Sequence, residues 1–461
     1  MMENSHGTPD LPDRAIDSRT RLLFRSRWFA ATLMLAPAAG YSSDITVGAS
    51  GSLAEEFNTN IFLTPNPHKE AFGQGFNANL NMTISEQHWQ SRWNADFVNR
   101  WYIGDPGLDY DNQLFSTKNY YNISERSRIG LDANYNKENT LTSLSDASVD
   151  VGYVFKRLRR NSWGLSPNWM YSLTEKTRLS AHYSYQETVY ENKEIAASRV
   201  VDSISHSGVA TLEHQYTETL SARAMGVAST YEMPFQEETS SSLGIIYQNG
   251  LPILGVNTIT SGGTGVIDTQ SLSLGFTYTP TETLKIDFSG GGQFNQVSNP
   301  GATISFEPLF GDGAPRSFNT NSHSSSFSEI LSAEATKRFE RGEFGFSYSK
   351  SLSPNLLGLL ISSERYAFSG RYSVNQNLTS SFRLAVTDTA TGGGGGSSAT
   401  AQFYERALFE IGSGLIWTLT EHLDVSANYQ YKQIEYPSLQ RDAEDHAVFL
   451  RLQYIPDQKH Y

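Results

Sequence analysis

Residues 271–284 read SLSLGFTYTPTETL, and this stretch decides the fold class. Apolar residues alternate with small or polar ones from Leu272 to Tyr278, and a Thr-Glu turn follows at 281–282. Because side chains on a strand point alternately to opposite faces, the stretch predicts a strand with one apolar and one polar face. The same alternation recurs between residues 44 and 455, for example at 76–84 and 423–431. The sequence therefore predicts an all-β chain.

The composition agrees with this prediction. Charged residues make up 18% of the 461 residues, below the usual value of about 25%, and aromatic residues make up 12%. Many aromatic and turn-forming residues with little charge favour strands over helices or disorder. The chain has no Cys, which excludes disulfides, thiolate metal sites and Cys nucleophiles. A net charge of −13 gives no reason to expect a nucleic-acid partner.

The N-terminus has the three parts of a secretory signal peptide. Four Arg residues lie within 19–27, an apolar run follows at 28–36, and small residues follow at 36–40. The apolar run is shorter than the roughly 20 residues that a membrane-spanning helix needs. We predict that 1–40 is a signal peptide cleaved near Ala38 or Gly40, and that 41–461 forms one domain. The alternative is an unstructured tail before the first strand.

Two architectures produce strands with one apolar and one polar face. A soluble sandwich uses strands of about five or six residues, whereas a transmembrane barrel needs about nine to eleven. Here the alternation persists for longer than a sandwich strand. Short Thr-Glu turns, as at 174–175, 217–218 and 420–421, occupy every second connection, and the other connections are long. This segregation predicts a transmembrane antiparallel up-and-down β-barrel in a Gram-negative outer membrane.

We predict about 18 strands, within a range of 16–20, and an even number places both termini in the periplasm. Long extracellular loops are expected at 233–265 and 298–322. The first of these contains apolar residues that could form an additional hairpin and raise the count to 20. Pro252 within it favours a folded loop instead.

A barrel of this size encloses an aqueous channel, and its polar strand faces would line that channel. The predicted pore-lining residues carry both charges: Arg92, Asp96, Arg128, Asp132, Arg178, His182, Lys285, Asp287, Arg371, Arg383, Glu410 and Lys432. They form either a polar path for hydrated solute or a set of cross-strand pairs that support the wall. Since no ladder of a single sign appears, the sequence alone does not indicate selectivity for one ion charge.

Large amphipathic aromatic residues are typical of the two membrane interfaces. The predicted interface residues are Trp163, Trp169, Tyr171, Trp417 and Tyr429. Their expected role is anchoring.

The sequence indicates a protein that is not an enzyme and needs no cofactor or metal. It contains no His-Glu-x-x-His, no phosphate-binding glycine loop and no Gly-x-Ser-x-Gly motif. Two His/Ser pairs, His182 with Ser184 and His323 with Ser325, share a strand face and are the weak hydrolase candidates. Ser and His are common on polar barrel faces, so the pairs favour the wall over catalysis.

Two segments resemble a family of uncharacterised outer-membrane barrels found with exopolysaccharide and PEP-CTERM gene clusters. The segments are SLAEEFNTNIFLT at 52–64, and RLRR at 157–160 followed by LSPNWMYSLTEKT at 165–177. The repeated Thr-Glu turns are similar to those of the family, and the likeness extends over 44–455 apart from the 233–265 insertion. The resemblance implies a porin for polysaccharide secretion and supplies no catalytic residues.

The expected function is therefore a passive outer-membrane conduit for export of an extracellular polysaccharide. The expected partners are outer-membrane lipid, the barrel-assembly machinery, polysaccharide and periplasmic export proteins. The apolar face that ends at Tyr454 resembles the C-terminal signal of assembly substrates, set back by 455–461. Two alternatives are a general diffusion or saccharide-uptake porin, and a non-conducting structural barrel or surface adhesin.

Overall fold

The computed structural model describes residues 44–64, 68–139, 159–191, 201–248, 251–299, 302–308, 316–319, 322–354, 360–391, 405–437 and 440–460. It contains one short 3-10 helix, Pro106–Leu108, and strands in the following order. They are β1 (Asp44–Asn58), β2 (Ala71–Ser85), β3 (Trp89–Tyr102), β4 (Tyr110–Ser124), β5 (Ser127–Asn139), β6 (Arg159–Ser172), β7 (Thr177–Tyr190), β8 (Ser203–Gln215), β9 (Leu220–Gln248), β10 (Leu251–Thr281), β11 (Leu284–Asn299), β12 (Ala302–Pro308), β13 (Arg316–Asn319), β14 (Ser322–Phe339), β15 (Gly342–Pro354), β16 (Leu360–Ser373), β17 (Leu378–Thr391), β18 (Arg406–Thr420), β19 (Leu423–Tyr436), β20 (Arg441–Tyr454) and β21 (Lys459–His460).

Eighteen of these strands form a closed antiparallel barrel. Each pairs with its neighbours in chain order, β11 pairs directly with β14, and β1 pairs with both β2 and β20. Closure leaves no barrel strand with an unpaired edge. The predicted all-β antiparallel barrel of 18 strands is confirmed.

The barrel wall is apolar outside and polar inside. On β10, Ser273 is 5% exposed, while its neighbours Leu272 and Leu274 are 64% and 65% exposed. Residues directly opposite each other on paired strands lie on the same side of the sheet, so the register extends this alternation to every strand of the wall. The exposed aliphatic and aromatic side chains therefore form the outer surface, and the buried polar side chains form the inner one.

The two ends of the barrel differ in the length of their connections. One end, here called the turn end, joins strands through two to four residues, as between β4 and β5 or β8 and β9. The Thr-Glu motif builds these turns: Thr217 Oγ1 accepts hydrogen bonds from the backbone N–H groups of Thr219 and Leu220, at 3.2 and 3.0 Å. A hydroxyl that replaces a backbone acceptor is what makes Thr favourable in a tight turn. The opposite end, the loop end, carries the longer connections.

The predicted loops at 233–265 and 298–322 instead contain strand. β9 and β10 continue pairing beyond the barrel to the register Leu251↔Gln248, so they form one long hairpin and add no barrel strand. β12 pairs with the outer part of β10, and β13 pairs with β12. Thr258, Ile259 and Thr260 in the extended part of β10 are residue types that favour strands.

The barrel belongs to the unit Ile45–Tyr461. The predicted signal peptide, 1–40, lies outside the described residues. Within the residues that the structure describes, no helix is long and apolar enough to cross a membrane.

Candidate functional site: the barrel lumen

The register places all twelve predicted pore-lining residues on the inner face of the wall. Direct pairs on that face include Thr83↔Arg92, Lys118↔Asp132 and Glu410↔Lys432. Six of the twelve are exposed and lie near the turn end of their strands, namely Arg92, Arg128, Arg178, Lys285, Arg371 and Arg383. Of the remaining six, Asp96, Asp132, His182, Asp287 and Lys432 are partly buried and Glu410 is buried. Whether they conduct solute remains a prediction.

The half of the lumen next to the turn end is accessible to water. Ser347 and Ser369 face inward in the turn-end halves of β15 and β16, and both are exposed. Inward side chains that are small and still exposed leave open space in front of the wall. This part of the barrel is an open, solvent-accessible space lined by Ser, Asn, Gly and charged groups.

Several charged side chains in this half support the wall through pairs between strands. Asp287 receives two hydrogen bonds from the Arg223 guanidinium, at 2.6 and 3.1 Å, and one from Thr277 Oγ1 at 2.6 Å. Asp96 accepts hydrogen bonds from the Asn79 and Asn94 amides, at 2.6 and 2.5 Å. Asp287 therefore forms the expected charge pair between strands, whereas Asp96 is held by neutral amides of its own and the neighbouring strand.

In the half next to the loop end, several charged inner side chains are buried or partly buried and form ion pairs. Arg365 Nη2 lies 3.3 Å from Glu410 Oε2, and its Nη1 donates to Thr387 Oγ1 at 2.9 Å. Arg100 Nε lies 3.7 Å from Glu56 Oε2, and Glu56 also accepts from the Tyr102 hydroxyl. These buried ion pairs with added hydrogen bonds are the arrangement that a desolvated charge requires.

A connection folds over the loop end on the lumen side. Asn60, 1% exposed, donates its backbone N–H to Asp445 Oδ1 at 2.8 Å and its side-chain amide to Thr64 O at 2.9 Å. Ile61 and Phe62 pack against buried residues at the loop ends of β2 and β3, and Leu63 packs against those of β19 and β20. The β1–β2 connection is therefore fixed to the wall on both sides of β1.

A second inward packing involves the β15–β16 hairpin. Gln293 Nε2 on β11 donates to the carbonyl of Leu352 at 2.9 Å, across the lumen side of β14. Leu352 and Leu360 are buried with Met233 and Ile267, which face inward on β9 and β10. The loop end of the lumen is thus narrowed by apolar contacts. These contacts could not be predicted from the sequence, because the leucines continue an ordinary strand pattern.

The five predicted interface aromatics lie on the outer face. Trp169 stacks on Tyr171 with ring centroids 5.9 Å apart near the turn end, and Trp417 is also near that end. Trp163 Nε1 donates to Glu187 Oε2 at 3.1 Å, and the Tyr429 hydroxyl lies 2.8 Å from His446 Nδ1. Trp169, Tyr171 and Trp417 lie near strand ends, whereas Tyr429 lies near the middle of β19. A role of the five residues in anchoring the barrel at the membrane interfaces stays a prediction.

Neither His/Ser pair forms a catalytic contact. Ser184 Oγ accepts a hydrogen bond from Ser166 Oγ at 3.1 Å, and His323 Nε2 lies 3.2 Å from Ser298 Oγ. In the part of the chain that the structure describes, no group of three His, Asp or Glu side chains is arranged to hold a metal ion.

Three solved structures are similar to this chain in architecture. OpdL from Pseudomonas aeruginosa is 11% identical, with 90% of this chain and 99% of that chain covered and a TM-score of 0.40. OccAB3 from Acinetobacter baumannii is 9% identical, with 90% and 99% covered and a TM-score of 0.41. The ferric-catecholate import receptor Fiu from E. coli is 9% identical, with 88% and 81% covered and a TM-score of 0.41. Values this low do not assign the chain to any of these families or functions.

No protein-family profile matches the chain. No curated protein matches it either. The resemblance to exopolysaccharide-associated barrels remains a prediction.

Proposed function

We propose that this barrel spans the Gram-negative outer membrane and acts as a passive channel for hydrated polar solutes. One observation carries the proposal: the 18-strand wall is apolar outside, while its inner face is polar and exposed to water in the half next to the turn end. An apolar outer surface is stable only against lipid or another apolar surface. A barrel of 16–18 strands is also wide enough for an aqueous lumen.

We further propose that the solute is an extracellular polysaccharide moving outward, with the turn end and both termini in the periplasm. Neutral Ser and Asn side chains, such as Ser347, Ser349 and Asn79, give sugar hydroxyls many weak hydrogen-bond partners and no deep trap. Outward movement would be driven by synthesis at the inner membrane, with barrel-assembly and periplasmic export proteins as partners. General diffusion or saccharide uptake is the alternative that uses the same lumen.

The test is single-channel conductance of the refolded mature chain in a planar bilayer, with short and long neutral oligosaccharides as blockers. Steady conductance that long oligosaccharides block better than short ones supports a polysaccharide conduit. Conductance unaffected by saccharides supports a general porin. Ser347→Trp, inside the lumen, should lower conductance, whereas Phe346→Trp, the adjacent residue on the outer face, should leave it unchanged.

A non-conducting display barrel is the second candidate, and one observation favours it. β9, β10, β12 and β13 form a sheet that continues beyond the barrel wall at the loop end. A refolded barrel that passes no current, even after 233–265 is shortened to a tight hairpin, would support surface display over transport.

A further inference from the structure

The inner face of β16 and β17 carries Arg365, Arg371 and Arg383 and, within residues 360–373 and 378–391, no carboxylate. Arg365 is occupied by Glu410 and Thr387. The guanidinium groups of Arg371 and Arg383 have no ion pair or hydrogen bond to any described residue, and both are exposed. Two unpaired cations therefore project into the solvent-accessible half of the lumen from adjacent strands.

The two guanidinium groups are close enough to act together. Arg371 is directly opposite Ser381, and Arg383 is directly opposite Ser369, so the two arginines are diagonal neighbours. Diagonal neighbours have Cα atoms about 7–8 Å apart, within reach of long side chains. Ser369, Ser381 and Gly412 surround them, so no large side chain separates the guanidinium groups from the lumen.

The nearest acid does not neutralise this pair. Glu343 on β15 is directly opposite Arg371, but the ion pair that it forms is with Arg338, whose Nε lies 3.8 Å from Glu343 Oε2. Arg338, Glu343, Arg371 and Arg383 together therefore carry an excess of two positive charges. Since low-dielectric walls concentrate the field in a channel, such an excess attracts anions from the lumen.

We infer that Arg371 and Arg383 form an anion-binding site in the lumen that selects acidic saccharides, those carrying carboxylate groups. Guanidinium groups bind carboxylates through paired hydrogen bonds, and exposed groups without a protein partner are available to a passing solute. The Ser and Gly residues beside them accommodate sugar rings. The inference rests on the proposed channel function and specifies its substrate class as acidic polysaccharide.

The experiment measures selectivity and binding separately. The first measurement is the reversal potential of the refolded mature chain in a steep KCl gradient. Next, equal-length oligogalacturonate and maltooligosaccharide are compared as blockers, and calorimetry measures their binding to the barrel in detergent. We expect preference for chloride, and block and binding by oligogalacturonate at severalfold lower concentration than by maltooligosaccharide.

The double variant Arg371→Gln/Arg383→Gln should lose most of both preferences. The control, Arg126→Gln/Lys176→Gln, removes the same charge from exposed turns at the same end of the barrel and should retain them. Equal binding of the two oligosaccharides, or a preference that survives in the double variant, would overturn the inference. Binding of oligogalacturonate without any current would support the site and overturn the channel function, so the two failures are distinguishable.

Discussion

Arg365 and Arg371 lie on the same inner face of β16, yet their surroundings differ completely. Arg371, near the turn end, is exposed and has no ion pair among the described residues. Arg365, nearer the loop end, is partly buried, with its side chain 16% exposed, and is bonded to Glu410 and Thr387. The same strand thus borders a solvent-accessible space near its turn end and a packed interior near its loop end. The strand pattern therefore determines which face points inward, whereas the connections determine how far water penetrates.

The largest expected effect comes from breaking a pair in the packed half. Glu410→Gln removes the buried counter-charge of the partly buried Arg365 guanidinium, and breaking a buried pair costs about 3–5 kcal/mol. The free energy of unfolding is measured by titrating the refolded barrel in lipid vesicles with guanidinium chloride and following Trp fluorescence. Adding Arg365→Gln should restore part of the loss. If Glu410→Gln lowers the free energy of unfolding by less than about 1 kcal/mol, the value for an exposed pair, then water reaches this pair in the loop-end half of the lumen.

Removing apolar contact from the same half should be almost as damaging. Met233 is fully buried against Ile267, Leu352 and Leu360, so Met233→Ala should cost about 2–5 kcal/mol. It should also raise the single-channel conductance, because the β15–β16 hairpin loses a contact that holds it inward. Met225→Ala, inward on the same strand and nearer the turn end, is the control and should change neither quantity as much.

A chemical probe distinguishes the two halves directly, because the chain has no Cys of its own. Ser347→Cys places a thiol on an exposed inner position in the turn-end half, and Ser162→Cys places one near the loop end at a position that is 4% exposed. A water-soluble thiol reagent should modify the first at least about tenfold faster, since thiolate reactivity requires exposure. Equal rates would mean that water fills the lumen from end to end.

The smallest effect is expected for the ion pair at the turn end. The side chains of Arg338 and Glu343 are 71% and 51% exposed, so Glu343→Gln should change the free energy of unfolding by about 0–1 kcal/mol. The same denaturation experiment measures it beside Glu410→Gln. A loss as large as that of Glu410→Gln would remove the distinction between the two ends.

The closed barrel and its strand count follow from the sequence because they depend on local patterns. Alternation over whole strands and a Thr-based turn at every second connection are both readable within a few residues. The same period of two explains why the predicted lining residues all fall on one face. The exception is 233–265, where a proline and a long span predicted a loop, while the structure continues the ladder of β9 and β10.

Burial in the lumen was not predictable, because it depends on contacts between distant parts of the chain. Asn60 and Asp445 are separated by 385 positions, and nothing local marks Asn60 as buried. Likewise, the sequence shows lining charges of both signs in mixed order. Only the register shows that Asp287 is bonded to Arg223 while Arg371 and Arg383 have no such partner among the described residues.

β21 carries the chain past β20 and back onto the first strand. Thr46 and Val47 of β1 pair with His460 and Lys459, whereas β20 covers β1 only from Gly51 to Asn58. The last residues therefore complete the seam of the cylinder, and without them the start of β1 would present unsatisfied amides and carbonyls. Because this ladder joins residues from opposite ends of the sequence, its loop-closure entropy is the largest in the fold. The hairpins can form independently of one another, but the seam forms only when nearly the whole sheet is already in place.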